Sequence, residues 1–257
     1  EPFYIMIDKL WKSIDGRNGK FPVKDGPYIF DIPYFNEDVI REAINNAIAH
    51  RDYRRSSETV IKQYPQKLVI TNMGGFPLGV TVDNILTVPS TPRNRLLADV
   101  LSKTGIVERS GQGVDKIYKN TLSEGKDAPD YSHSDSFKVE LILSAVIRDK
   151  AFALFVDSVQ KDLPEENKLS VFEILALNKI RQEQSKEVST EIIKKLLDRG
   201  LIEQRGKTKG TYYILSESYY DFTDNKVEYF KKTKWNFSQS FHFVISYLEA
   251  NSKAVES

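Results

Sequence analysis

The stretch EAINNAIAHRDY, residues 42–53, sets a carboxylate, a carboxamide and an imidazole four residues apart, at Glu42, Asn46 and His50. At about 100° per residue the three fall within about 80° of one another on a helical wheel. They run along the margin of an apolar arc made by Val39, Ile40, Ala43, Ile44, Ala47 and Ile48. A polar row at the edge of a core is held rigidly and can form one wall of a pocket. The amide oxygen of an asparagine is a neutral, hard ligand for Mg²⁺, and a carboxylate one turn away can orient or deprotonate a water. Taken alone, Glu-x-x-x-Asn is more often a solvated helix edge whose two side chains share a hydrogen bond.

Two glycine clusters add to that pair. Asn72-Met73-Gly74-Gly75 follows a strand pattern, and Gly111-Gln112-Gly113 opens a helical one. Glycine lets backbone approach a ligand closely, and the free N–H groups of a helix start favour phosphate. Either cluster by itself also fits a plain turn or a plain helix entry.

The elements that must position these groups can be read from periodicity. Residues 3–14 are helical in spacing, whereas 20–35 hold Pro22, Gly26, Pro27 and Pro33 and read as loop with a short extended piece. Asn36 caps a helix with Glu37 and Asp38 in its first turn. SETVIKQY (57–64) and KLVITN (67–72) are β-branched runs in hairpin arrangement around Pro65 and Gln66. Helical periods follow at 94–104 and 113–122, then a strand at 136–144 that pairs back into the sheet. Strands and helices segregated in this way favour an α+β two-layer sandwich over a doubly wound parallel fold.

Beyond a helical stretch at 149–161 a second pattern begins. Ser189 caps a helix with the apolar row Ile192, Ile193, Leu196 and Leu197, Gly200 ends it, and two short strands flank a basic turn at 206–210. Helix, helix, strand, glycine turn, strand is the order of a winged helix. Lys194, Lys195, Arg199, Arg205, Lys207 and Lys209 stand there against only Asp198 and Glu203. In a winged helix the second helix enters the major groove and the wing touches the backbone, so these residues are candidate DNA contacts, with Thr190 or Lys194 placed to face bases. The other reading is a protein-contact module with a solvated basic face. Residues 217–257 are rich in aromatics and carry a helical pattern at 238–250, expected to pack on the second domain or on a partner chain.

Composition limits the remaining classes. The 37 basic and 36 acidic residues nearly cancel, so a polyanionic partner must be met by a local patch. The absence of cysteine excludes disulfides, thiolate zinc sites and a cysteine nucleophile, and fits a reducing cytoplasm. No apolar run approaches the roughly 20 residues of a membrane span. The start at Glu1, directly on a patterned segment, suggests a piece of something longer. No G-x-x-x-x-G-K-[ST] phosphate loop is present, so these residues hold no helicase motor.

Glu-x-x-x-Asn on a helix, then strand-Asn-x-Gly-Gly, then Gly-x-Gly opening a helix resembles the nucleotide fold of the GHKL ATPases. REAINNAIAHRDY, LVITNMGGFPLGVT, TPRNRLLADVLSKTGIVERSGQGVDKI and FKVEL are similar to the RecG-related, or Schlafen/AlbA-associated, transcriptional regulators, whose members often end in winged helices. The resemblance covers residues 1–147 strongly and 165–215 more loosely. It implies Glu42 as the catalytic or water-orienting acid, Asn46 as a Mg²⁺ ligand, Gly74 and Gly75 as the adenine-side loop, and Gly111 and Gly113 as the phosphate-side turn. Arg93 and Asn94 match an Arg-Asn pair on the segment that would cover the nucleotide. Asn72 stands where the wider superfamily has an aspartate that accepts from the adenine amino group, and an amide oxygen is a weaker acceptor than a carboxylate. His50, Arg51 and Asp52 also match, and are read as an internal ion pair or hydrogen-bonded anchor.

The expectation is therefore a GHKL-like α+β sandwich (1–147), a winged helix (148–216) and a helical extension (217–257). Its function would be that of a cytoplasmic ATP- and Mg²⁺-binding transcriptional regulator that binds DNA and forms a homo-oligomer, with no membrane association. The alternatives are a slow ATPase using Glu42, or a nucleotide-free dimerisation scaffold.

Overall fold

The computed structural model describes residues 2–25, 28–89, 91–104, 113–161, 163–206, 210–223, 229 and 245. The chain divides into two compact units, Glu1–Leu175 and Ala176–Ser257, with the boundary inside a helix. It is a mixed α+β protein with small antiparallel sheets and eight α-helices among the described residues. No helix among them is long and apolar enough to cross a membrane.

The first unit opens with α1 (Phe3–Asp15), which buries Ile7, Trp11 and Ile14. The segment expected to be mostly loop is a two-stranded antiparallel ribbon, β1 (Lys20–Asp25) and β2 (Tyr28–Pro33). Proline argues against a central strand, but both strands of a two-stranded ribbon are edges, where a missing N–H goes unnoticed. Pro22 faces Asp31 across it.

Helix α2 (Glu37–His50) is the centre of the unit. Its N-cap is Asn36, whose side chain accepts from the Val39 amide at 3.2 Å. Nine of its residues are buried, including Glu42 and Asn45, so the helix is covered on more sides than one apolar stripe requires. Helix α1 lies against it, tied by Arg41 to Asp8 at 3.0 Å. Burying Ile40 and Ile44 contributes roughly 1.5–3 kcal/mol each. A charged residue at either position would remove that term and strand an ion in the core.

The main sheet has the order β3 (Val60–Gln63), β4 (Lys67–Met73), β5 (Lys138–Ser144), antiparallel throughout. Leu68 pairs with Leu143 and Ile70 with Leu141. With the period of two, Leu68, Ile70 and Asn72 share the buried face of β4, which packs on α2. Helix α3 (Arg95–Lys103) follows β4, and α4 (Gly113–Ser123) lies beside α2. After β5, α5 (Lys150–Gln160) is capped by the Asp149 side chain, which accepts from the Phe152 amide at 2.9 Å, and packs on α4.

A buried polar cluster sets α2 against α4. Lys126 Nζ, just past α4, donates to the carbonyls of Pro33 at 2.8 Å and Tyr34 at 3.0 Å and pairs with Glu124. The other oxygen of Glu124 accepts from Asn36 Nδ2 at 2.6 Å. The cap of α2 is thus clamped to the end of α4, which fixes the register in which the two helices face each other. Burial holds Lys126 below the usual ammonium range, and the charge of Glu124 opposes that shift. Breaking a buried pair of this kind by removing one partner costs on the order of 3–5 kcal/mol.

In the second unit, α6 (Val171–Arg181) enters from the boundary and α7 (Thr190–Asp198) is capped by Ser189, as its spacing predicts. Gly200 takes φ +66° directly after the helix, a conformation that favours glycine. The hairpin β6 (Ile202–Arg205) and β7 (Tyr212–Leu215) follows, and then the short α8 (Glu217–Tyr220). Ile193, Leu196, Ile202, Ile214 and Leu215 form its core. Tyr229 reaches back to this unit: its ring lies 5.0 Å from that of Tyr220 and its hydroxyl donates to Glu203 at 3.0 Å. The rest of the aromatic segment, including the helix expected at 238–250, lies outside the described residues apart from Ile245.

Candidate functional site

Helix α2 and the start of α4 meet at Gly113. A methyl group at that position would fall 2.0 Å from Glu42 Oε1 and 3.3 Å from Asn46 Nδ2. The glutamate–asparagine row therefore faces Gly113, and only a residue without a side chain lets α4 come so close. Glu42 is 6% exposed and Asn46 half-buried. Asn46 Nδ2 is shut off from solvent and has no hydrogen-bond partner among the described residues. An unsatisfied buried amide costs on the order of 1–3 kcal/mol, so it marks a place where a polar ligand or water would be stabilised. Gly111 lies outside the described residues.

Residues without a distinct motif complete this end of the unit. Asn45 is more deeply buried than Asn46. Tyr118 on α4 stacks on Tyr131 with centroids 6.4 Å apart, and Phe76, just past the first glycine cluster, sits 6.0 Å from Tyr131. Burial chiefly, with Tyr118 and Glu42 adding to it, pushes the Tyr131 hydroxyl well above the ordinary phenol range. Tyr131 thus links Phe76, next to the Gly74–Gly75 loop, to Tyr118 on α4. Tyr118, Tyr131 and Phe76 carry no motif in the sequence that would single them out.

Asn72 is 4% exposed on the α2-facing side of β4, and its Oδ1 accepts from the Thr59 hydroxyl at 2.9 Å. Thr59 carries no motif of its own. Gly74 has φ +95°, and a methyl group there would meet Asp52 Cβ at 2.9 Å and the Arg93 guanidinium at 3.3 Å. At Gly75 the obstacle would be backbone, the Asp135 carbonyl at 2.5 Å.

Arg93 and Asn94 hold the far end of α2. Arg93 donates to the carbonyls of His50 at 3.1 Å and Gly75 at 2.8 Å. Asn94 Nδ2 donates to those of Ala49 at 3.0 Å and Arg51 at 2.7 Å, and its own amide donates to Ala49 at 3.1 Å. These are the carbonyls a helix terminus leaves without partners. Asp52 acts as an anchor: its amide donates to the Met73 carbonyl at 2.9 Å, and its carboxylate pairs with Arg54 at 3.0 Å and Arg55 at 3.5 Å. Arg54 holds the Asp52 carboxyl down to about 2. Burial and the charge of Arg93 keep His50 below the usual imidazole range.

In the second unit Lys194 and Lys195 are exposed on α7, and Arg199 is half-buried at its C-cap. Arg205 pairs with Glu203 and donates to the Tyr229 hydroxyl at 3.3 Å, so its charge is met within the unit. Burial first, then Glu203, pushes that hydroxyl up to about 12. Lys207 and Lys209 lie outside the described residues. No group of three or more histidine or acidic residues among the described residues could hold a metal by itself.

The chain resembles the crystal structure of the DIP2311 protein from Corynebacterium diphtheriae, with a TM-score of 0.67 at 22% identity over 84% of this chain and 46% of that one. It thus spans about half the length of that solved chain, and the likeness is one of fold. No match was found among curated proteins. Residues 57–141 match a family model described as "Putative ATP-dependent DNA helicase recG C-terminal". That span contains Asn72, Gly74, Gly75, Arg93, Asn94, Gly111 and Gly113, whereas Glu42 and Asn46 precede it. Over those residues the chain is similar to that RecG-related, ATPase-like family.

Proposed function

We propose that this chain is a nucleotide-binding regulator: a GHKL-like first unit that takes ATP with Mg²⁺, joined to a winged helix that binds DNA. The observation that carries the first half is the meeting of Glu42 and Asn46 with Gly113, outside and inside the matched span respectively, in the order the nucleotide fold requires. The residues present suit the ligand. Gly113 opens a helix of eleven residues whose first N–H groups favour phosphate. The buried Asn46 Nδ2 has a donor to spare for a phosphate oxygen, while the Oδ1 of the same amide is the atom that would ligate a metal. With no cluster of three acidic or histidine side chains among the described residues, Mg²⁺ would lean on Asn46 and on the phosphates themselves, its usual habit, and would supply charge neutralisation there. Asn72, with Thr59 on its oxygen, would face the base.

Glu42 Oε1 is buried against Gly113, which favours binding over turnover. A slow ATPase is the alternative, and phosphate release that disappears in Glu42→Gln would establish it. Calorimetry with Mg²⁺ and ATP tests the site: Asn46→Ala should lose most of the heat, and equal heats for both proteins would refute the assignment.

For the DNA half, the exposed Lys194 and Lys195 on α7 and the hairpin beyond it support the reading. Affinity for random duplex should fall with salt and drop in Lys194→Gln/Lys195→Gln. No binding at low ionic strength would remove this half. Nucleotide-linked homo-oligomerisation belongs to the same proposal, and sedimentation with and without ATP checks it.

A further inference from the structure

Where β4 leaves the sheet, four arginines converge on one turn. Asp52 pairs with Arg54 and Arg55, Arg93 lies on the adjoining Gly74, and Arg51 precedes them. Phe137 stands in the same place, its carbonyl accepting from the Gly74 amide at 2.7 Å. The Arg55 guanidinium is 5.7 Å from the Phe137 ring centre, and that of Arg51 is 4.8 Å from the Tyr53 ring centre. With Lys138 added, and Asp52, Asp135 and Glu140 set against them, the surroundings keep an excess of positive charge. The carboxylate of Asp52 is buried, whereas the Arg54 side chain is 84% exposed and that of Arg55 44%. Both rings face solvent, Phe137 at 62% and Tyr53 at 43%.

Single exposed apolar residues are ordinary, but two aromatic rings each paired with a guanidinium on a cationic rim make a stacking platform beside phosphate-binding groups. We propose that this rim of the first unit binds single-stranded nucleic acid, with Arg54 and Arg55 on phosphates and Phe137 and Tyr53 stacked on bases. A duplex hides its base faces from such rings, and a phosphopeptide has no use for them. Its phosphate and stacking side chains, Arg54, Arg55, Phe137 and Tyr53, include none of Glu42, Asn46, Lys194 or Lys195, so substitutions test it apart from the reading above.

Fluorescence anisotropy of the whole chain with a labelled oligothymidine single strand and a matched duplex tests it. In the Lys194→Gln/Lys195→Gln background, which removes the duplex contacts proposed for α7, the chain should prefer the single strand. Arg54→Gln/Arg55→Gln should weaken binding by about tenfold and reduce the salt slope by roughly 1.4, the loss of two single-strand phosphate contacts. Phe137→Ala, which alters only an exposed ring, should weaken it by roughly fivefold or more with an unchanged melting temperature. Lys194→Gln/Lys195→Gln should leave single-strand affinity as it was. The proposal is overturned by wild-type affinity in Phe137→Ala, by loss in the α7 variant with retention in the arginine variant, by equal binding of a phosphoserine peptide, or by no binding at low salt.

Discussion

The two glycine turns of the first unit use the same missing side chain for different ends. At Gly113 the vacated space is filled by the tips of two polar side chains, Glu42 and Asn46, one of which keeps unused hydrogen-bonding capacity. At Gly74 and Gly75 it is filled by Asp52, by the Arg93 guanidinium and by the Asp135 carbonyl, with Arg93 and Asn94 donating to the carbonyls around the end of α2. The first arrangement can respond to a ligand, because side-chain ends move. The second is built of backbone and bonded groups, and it locks α2 to β4. Glycine near a motif thus says that something comes close, and only the neighbours say whether it is a ligand or the fold itself.

Substitutions separate the two. The largest effect is expected at Gly75→Ala, where the new methyl group meets backbone that cannot give way, at a cost of about 3 kcal/mol in chemical denaturation. Asn94→Ala should cost about 2 kcal/mol, since it takes the side-chain amide from the Arg51 carbonyl and leaves that of Ala49 only the residue 94 backbone N–H. Gly113→Ala should cost less, about 1–2 kcal/mol, and most of it should return in a Glu42→Ala background, because the clash is with that side chain. If the cycle shows no coupling, the two residues do not meet as described. Thr59→Val should cost about 1 kcal/mol through loss of its bond to Asn72, with no change in the Gly113 cycle.

The smallest effect is a pH dependence at the second turn. Asp52 is held from an ordinary 3.8 down to about 2 by Arg54, so its contribution to stability is complete above about pH 4 and fades as the pH falls through 2. Urea midpoints of wild type and Asp52→Asn should therefore differ most at neutral pH and converge in acid. A gap that widened on acidification would mean that the carboxylate is not stabilised by the arginines.

Local signals carried much of this architecture. Asn36 and Ser189 cap the helices their spacing assigns to them, Gly200 ends α7, and Pro65–Gln66 separates the two strands it was expected to separate. The order of the three motifs pointed Glu42 and Asn46 at both glycine turns; Gly113 lies beside them, whereas Gly74 and Gly75 meet Asp52, Arg93 and the Asp135 carbonyl instead. What escaped depends on contacts distant in sequence. The wheel places Glu42 at the margin of the core, yet α1, α4 and β4 together cover α2 and bury it. Nothing near Asn94 announces partners more than forty residues earlier, and nothing near Lys126 announces the carbonyls of Pro33 and Tyr34. The β1–β2 ribbon was obscured because proline is penalised only where a strand has neighbours on both sides.

A crystal structure of the chain with Mg²⁺ and a non-hydrolysable ATP analogue tests the central claim most directly. The account predicts phosphates at the first turn of α4 beside Gly113, the Asn46 amide engaged, and the base next to Asn72. A nucleotide bound elsewhere, or crystals that take up none at saturating concentration while Glu42 stays packed on Gly113, would contradict it.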